Sequence, residues 1–346
     1  MENKAKTIKV RDIRKIVIIQ TAFIGDTILT LSLLRESKKI FSASVDIVVV
    51  PASAELLQCN QEVDKVVIYD KRGKNAGWCG FWRTVKNLRS ASYDLALVPH
   101  RSLRSALLAV FCGAKYRVGF DKSAGAWLFH RRIKYRPEQH EVERNLSLLM
   151  PWADEIDDSL HFMIDTKYEA ETLVSFSDVL NLKPVVGLAP GSVWPTKRWP
   201  VEHFRDLAKQ LVNEDTRVIL IGGKDDRTLG QVIKLAVPKV INLIGITDLC
   251  QAAVLIKHMD LLVTNDSAPL HLASALHTPV VALFGPTVKE FGFTPYQIPH
   301  KVVERSLSCR PCSRHGSYKC PIGTHECLKE ILPQQVHKIL KELQRD

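Results

Sequence analysis

The sequence predicts an α/β protein made of two doubly wound domains, each a parallel sheet with crossover helices. Strand-length β-branched runs alternate with amphipathic helical stretches from one end of the chain to the other. The chain is 346 residues long, more than one ordinary domain holds. Its composition, 46% apolar and 25% charged, is that of a chain that buries its cores without staples.

The first series opens with a strand over Ile16 to Gln20, a loop over Thr21 to Gly25 and a helix over Thr27 to Ser37, where Ile28, Leu31 and Leu34 share a stripe. Strands follow at Val45 to Val50, Lys65 to Tyr69 and Asp94 to Val98, and a helix at Ser102 to Phe111. The second series begins at Val185 to Ala189. It continues through a helix opened by Pro200, with Phe204, Leu207, Ala208 and Leu211 on one face, and through strands at Arg217 to Ile221, Leu261 to Thr264 and Val280 to Phe284. The junction falls in Asp165 to Pro184, giving an N-terminal domain over 1–176 and a C-terminal domain over 177–346 that face a cleft. The last helix, striped by Val336, Ile339, Leu340 and Leu343, has no strand to feed and is expected to pack back on the N-terminal domain.

The net charge of +11 implies an anionic partner, whether nucleic acid, an anionic membrane face or an acidic small molecule. A basic nucleic-acid-binding protein is the non-enzymatic alternative. Against it, no standard motif of that class is present and the arginines follow strand ends, so no nucleic-acid partner is expected. No apolar run approaches the ~18 residues of a membrane span. Met1 to Lys15 is basic without the apolar stretch of a secretory signal, so a cytoplasmic location is expected.

Open parallel sheets bind ligands at the carboxyl ends of their strands, and the candidate residues cluster after predicted strands. Asp26, in the turn Ile24-Gly25-Asp26, suits a general base facing the cleft; an aspartate there equally suits a helix cap. In the loop Pro190 to Pro200, Gly191 and Ser192 supply donors and Lys197 and Arg198 supply charge close to a helix start, a combination suited to phosphate. Thr264 to His271 places Asp266, Ser267 and Ala268 at another helix start, with His271 either in the site or merely in the core. Gly222-Gly223 permits close backbone approach, and Asp226 is placed to accept from a ribose hydroxyl, although turn chemistry explains the glycines as well. Arg101, Arg104, Arg117 and Arg144 supply forks for an acidic acceptor. There is no phosphate-binding Gly-x-x-x-x-Gly-Lys-Ser/Thr loop, no Gly-x-Gly-x-x-Gly after the first strand and no Asp-x-Asp triplet. Neither a cofactor nor a metal is called for by these segments.

Together, Gln20 to Leu34, Pro190 to Phe204 and Thr264 to Pro286 resemble glycosyltransferase family 9, the lipopolysaccharide heptosyltransferases, and most closely their heptosyltransferase II branch. The resemblance implies a GT-B fold and inverting, metal-independent transfer of heptose from ADP-heptose to the lipopolysaccharide inner core. It implies Asp26 as base, Lys197 on the donor phosphates, Ser192, Asp266, Ser267, Ala268 and His271 in the donor site, and Asp226 near the adenosine ribose. A lipid-borne acceptor implies peripheral contact with the inner face of the cytoplasmic membrane. Another nucleotide-sugar donor is the alternative within the fold. Cys309, Cys312, Cys320, Cys327 and His325 crowd one segment; Cys-x-x-Cys is a zinc spacing, and a structural loop of reduced or partly bridged thiols is the preferred reading.

Overall fold

The computed structural model describes residues 8–71, 73, 76–180 and 184–345, so residues 181–183 of the expected junction lie outside the described residues. The chain divides into two compact units, the first ending at Met163 and the second starting at Ile164.

The first unit holds six parallel strands: β1 (Lys15–Ile19), β2 (Ser44–Val49), β3 (Lys65–Ile68), β4 (Leu95–Val98), β5 (Tyr116–Phe120) and β6 (Arg131–Ile133). They lie in the order β3-β2-β1-β4-β5-β6. Helices α1 (Ile24–Ile28), α2 (Leu31–Phe41), α3 (Pro51–Leu57), α4 (Gly77–Arg89), α5 (Leu103–Phe111) and α6 (Glu141–Leu146) connect them. A parallel sheet covered on both faces needs apolar residues at every position. Accordingly, Ile16 to Ile19 and Leu95 to Val98 are entirely buried. The order reverses between β1 and β4, which opens a crevice at their carboxyl ends. The helix expected over Thr27 to Ser37 is broken in two. At the break, the Thr30 hydroxyl donates to Asp26 O at 2.7 Å and accepts from Gln20 Nε2 at 3.0 Å. Helix α5 starts where expected, with Ser102 Oγ accepting from the Ser105 N–H at 3.2 Å.

The second unit repeats the plan with β7 (Val185–Ala189), β8 (Arg217–Leu220), β9 (Ile241–Asn242), β10 (Leu261–Asn265), β11 (Val280–Phe284) and β12 (His300–Glu304), in the order β12-β11-β10-β7-β8-β9. Its helices are α7 (Thr166–Ser175), α8 (Ser177–Leu180), α9 (Val201–Asn213), α10 (Arg227–Ala236), α11 (Leu249–Lys257), α12 (Ala268–Ala275), α13 (Glu326–Lys329) and α14 (Pro333–Leu343). The expected stripe of Phe204, Leu207, Ala208 and Leu211 is wholly buried. Helix α7 is fastened to α11: the Tyr168 hydroxyl donates to Asp248 at 3.0 Å, and Lys257 pairs with Glu169 at 2.8 Å. The division therefore falls before this helix and not at the expected 176/177. Val336, Leu340 and Leu343 of the last helix join a core with Trp199, Phe204 and Leu211, and Lys341 pairs with Glu214 at the end of α9 at 2.7 Å. The stripe expected to lie on the N-terminal domain is thus filled inside the second unit.

Candidate active site

In the second unit the sheet order reverses between β7 and β10, and the segments that follow those strands meet there. Asn265, the buried last residue of β10, joins them. It accepts from the Trp199 N–H at 2.9 Å and donates through Nδ2 to Pro190 O at 2.9 Å. Trp199 is a core anchor, 1% exposed, with its indole N–H donating to Ile331 O at 2.8 Å. Held between these ties, Lys197 places Nζ 2.6 Å from Asp266 Oδ2, and the Thr287 hydroxyl donates to the same oxygen at 2.6 Å. An ammonium carries three donors, so Lys197 can hold Asp266 and a ligand oxygen together.

Ser267 and Ala268 open α12 beside this pair, where backbone N–H groups and the helix dipole favour an anion. His271 lies one turn further on. Burial drives its imidazole down to about 4; Asp266 opposes the shift and Lys197 adds to it. The ring is therefore neutral at pH 7, and its buried Nδ1 has no hydrogen-bond partner among the described residues. Asp226 packs against the clamp loop, for a Cβ at Gly191 would stand 2.2 Å from its Oδ2 and one at Gly222 3.3 Å away. It accepts from the Gly223 N–H at 3.2 Å and faces Arg198 Nη2 at 3.8 Å. Burial raises its carboxyl above the ordinary range. Ser192 is buried, and its carbonyl accepts from Arg198 Nε at 2.8 Å.

The depressed imidazole predicts acid lability. Unfolded chains protonate histidine near 6.5 and the folded protein does so only near 4, so the unfolded state binds more protons between those values. The stabilisation is complete above pH 6.5 and fades as pH falls towards 4. Calorimetry from pH 7.5 to 5 should show the melting transition of the second unit falling, with a shallower slope in His271→Gln. Equal slopes would refute the assignment.

In the first unit, Asp26 is half-buried on α1, and its Oδ2 accepts from the Phe23 N–H at 3.2 Å. The capping bond weighed against a catalytic role is therefore made as well, from the third helical position. Arg101 lies 4.0 Å over the Tyr135 ring, and Arg144 lies 5.2 Å from the same ring. Arg144 is 1% exposed, with Nε donating to Glu141 Oε2 at 2.8 Å and Nη1 to Pro137 O at 3.0 Å. Glu141 was not among the expected site residues. Burial pushes its carboxyl up to about 7, Arg144 pulls it down and the charge of Asp26 pushes it up again, so the two acids sense each other. Arg104 sits beside the Tyr69 hydroxyl.

Arg117 departs from this group. It lies near the amino end of β5, away from the ligand-binding edge, and pins a turn by donating to Leu128 O and Ala114 O at 3.1 Å each. His100, to which the sequence assigns no role, contacts Thr21 Oγ1 at 3.0 Å and Ser105 Oγ at 2.9 Å, and burial drives it down to about 4. Arg131, Arg132, Lys134 and Arg136 line a separate cavity of about 250 Å³. Cys309, Cys312, Cys320 and Cys327 are free thiols. Among the described residues, no group of three or more His, Cys, Asp or Glu side chains is gathered as metal ligands.

Two doubly wound sheets of the same order are the plan of a GT-B glycosyltransferase, the class to which the relatives belong. The profile of glycosyltransferase family 9 (heptosyltransferase) matches residues 81–322, and the chain belongs to that family. It is 32% identical to lipopolysaccharide heptosyltransferase 2 of Escherichia coli K12 over 348 residues, covering 95% of this chain and 98% of the relative. The solved structure of the E. coli ADP-heptose lipopolysaccharide heptosyltransferase II superposes with a TM-score of 0.77 at 27% identity, over 96% of this chain and 98% of that one. A family 9 glycosyltransferase from Veillonella parvula DSM 2008 has the same fold, with a TM-score of 0.84 at 22% identity over 98% of both chains.

Proposed function

We propose that the protein transfers heptose, with inversion, from ADP-heptose to the inner core of lipopolysaccharide. The observation that carries the reading is the largely buried Lys197–Asp266 pair at 2.6 Å, set beside the start of α12 in a chain whose relatives are lipopolysaccharide heptosyltransferases. In the reaction, the acceptor hydroxyl oxygen bonds to the anomeric carbon as the bond from that carbon to the diphosphate breaks. Asp26 takes the hydroxyl proton. Lys197, Ser192 and the N–H groups of Ser267 and Ala268 receive the charge that develops on the departing ADP. Gly191 and Gly222 leave room for the Asp226 carboxylate, which accepts from the ribose, and neutral His271 lies one turn beyond the N–H groups assigned to the phosphates.

Arg101 and Arg104 suit an acidic acceptor, and buried Arg144 acts by holding Glu141 and Tyr135. Among the described residues no helix is long and apolar enough to cross a membrane. We assign the enzyme to the inner face of the cytoplasmic membrane as a peripheral protein, since the net charge of +11 and the cationic cavity at β6 favour anionic headgroups. Thermal-shift measurements against ADP, UDP, GDP and CMP test the donor. ADP alone should stabilise, by about 2.7 kcal/mol at a hundredfold excess over Kd. Stabilisation by UDP or GDP in place of ADP would transfer the chemistry to another sugar nucleotide.

A further inference from the structure

Lys197 ends a single turn, Pro195–Lys197, and a side chain on so short a turn is only as well placed as the backbone beneath it. That backbone is held by the cysteine-rich segment. Thr196 is 4% exposed. Its N–H donates to Ser317 O at 3.2 Å, its hydroxyl donates to the same oxygen at 2.8 Å, and the Ser317 N–H donates to Thr196 Oγ1 at 2.8 Å. His325 Nε2 donates to Thr196 O at 2.7 Å. Every polar atom of the residue before Lys197 is thus bonded to the segment from Cys309 to Cys327.

Neighbouring contacts tighten the fit. The Trp194 and Tyr318 rings meet edge to face at 5.3 Å. Gly316, at φ +91°, passes so close that a Cβ would stand 2.7 Å from Trp194 Cβ and 3.1 Å from Lys197 Cγ, so both its backbone and the available space require glycine. The loop carrying His325 turns back on Cys320, whose carbonyl accepts from the Gly323 N–H at 3.1 Å. Burial raises the Cys320 thiol, but the neighbouring backbone N–H groups of His325, Ile322, Gly323 and Thr324 bring it below its ordinary value. At its other end the segment grips the turn after β11. The Cys312 N–H donates to Pro286 O at 2.9 Å, and Arg310 donates to Thr287 O at 2.7 Å. Thr287 is the residue whose hydroxyl holds Asp266.

We infer that the segment from Cys309 to Cys327 is a positioning element for the diphosphate clamp, setting Lys197 through Thr196 and Asp266 through Thr287, with Thr196, Ser317 and His325 as positioning residues. The inference rests on the reading of Lys197 as a donor-phosphate ligand. It gives a role to a segment whose cysteines the transfer chemistry does not use.

The test titrates the full-length protein with ADP by calorimetry at 25 °C and measures donor and acceptor KM. Thr196→Val removes the hydroxyl at nearly constant volume, and His325→Ala is the second variant should the first fail to fold. Either change should weaken ADP roughly tenfold, the scale of one or two lost hydrogen bonds, and raise the donor KM in parallel. The acceptor KM should stay within about twofold, and Thr196→Ser should restore ADP affinity. A purely structural role lowers the melting temperature and leaves ADP affinity and donor KM at their native values; that result overturns the inference alone. Native protein that does not bind ADP overturns the clamp reading and the inference with it.

Discussion

Replacing Asp26 by Asn lowers kcat by roughly 10²- to 10⁴-fold, the usual contribution of a positioned general base. The amide has the carboxylate's shape and can still accept from the Phe23 N–H, now at 3.2 Å from Oδ2, so α1 keeps its cap. The melting temperature should therefore move little, as it does for a half-exposed substitution with no packing change. Donor affinity should also hold, because the residues assigned to the donor, from Gly191 to His271, all lie in the second unit. The measurement is steady-state kinetics with saturating donor and acceptor, paired with ADP titration of the same preparation. Turnover that survives the substitution leaves Asp26 as a helix cap alone and moves the base elsewhere. Glu141, which responds to the charge of Asp26, is then the group to examine next.

The parts of the molecule legible in the sequence are those whose cause is local. Strands β7 and β11 appear as unbroken apolar runs because both faces of each are covered, and their limits match the expected Val185 to Ala189 and Val280 to Phe284. Strand β9 has two residues and β12 starts with His300 and Lys301, so neither carries a period that a window of sequence detects. The break between α1 and α2 follows from Thr30 bonding back to Asp26 O, a choice that helical spacing does not reveal.

The same contrast runs through the site. Gly191, Lys197, Asp266 and Ser267 stand out because phosphate-suited groups gather just after predicted strands and close to helix starts. Asn265 lies within Thr264 to His271 but carries no signal of its role, since its partners Pro190 and Trp199 lie 75 and 66 residues away. Thr196 and Ser317 are 121 residues apart, and only folding shows that one braces the other. Arg117 shows the reverse situation. An arginine near a strand resembles a ligand, but near the amino end of β5 its Nε and Nη1 donate to the Leu128 and Ala114 carbonyls on either side of the strand in sequence.

Lys197→Met separates catalysis from stability because the ammonium has a part in both. Removing it takes away the charge placed against the departing diphosphate, and kcat should fall by roughly 10²- to 10³-fold, the scale of losing one preorganised donor to a developing anion. It also leaves the Asp266 carboxylate, whose side chain is 6% exposed, with the Thr287 hydroxyl in place of its counter-ion. Breaking a buried pair from one side costs about 3–5 kcal/mol, so the variant should melt at a clearly lower temperature. Adding Asp266→Asn removes the stranded charge. The double variant Lys197→Met/Asp266→Asn should therefore regain much of the lost stability in a denaturation experiment while its turnover stays as low as that of the single variant. If turnover returns together with stability, Lys197 serves the fold as one half of an ion pair, and the leaving group is stabilised by the N–H groups at the start of α12 without it.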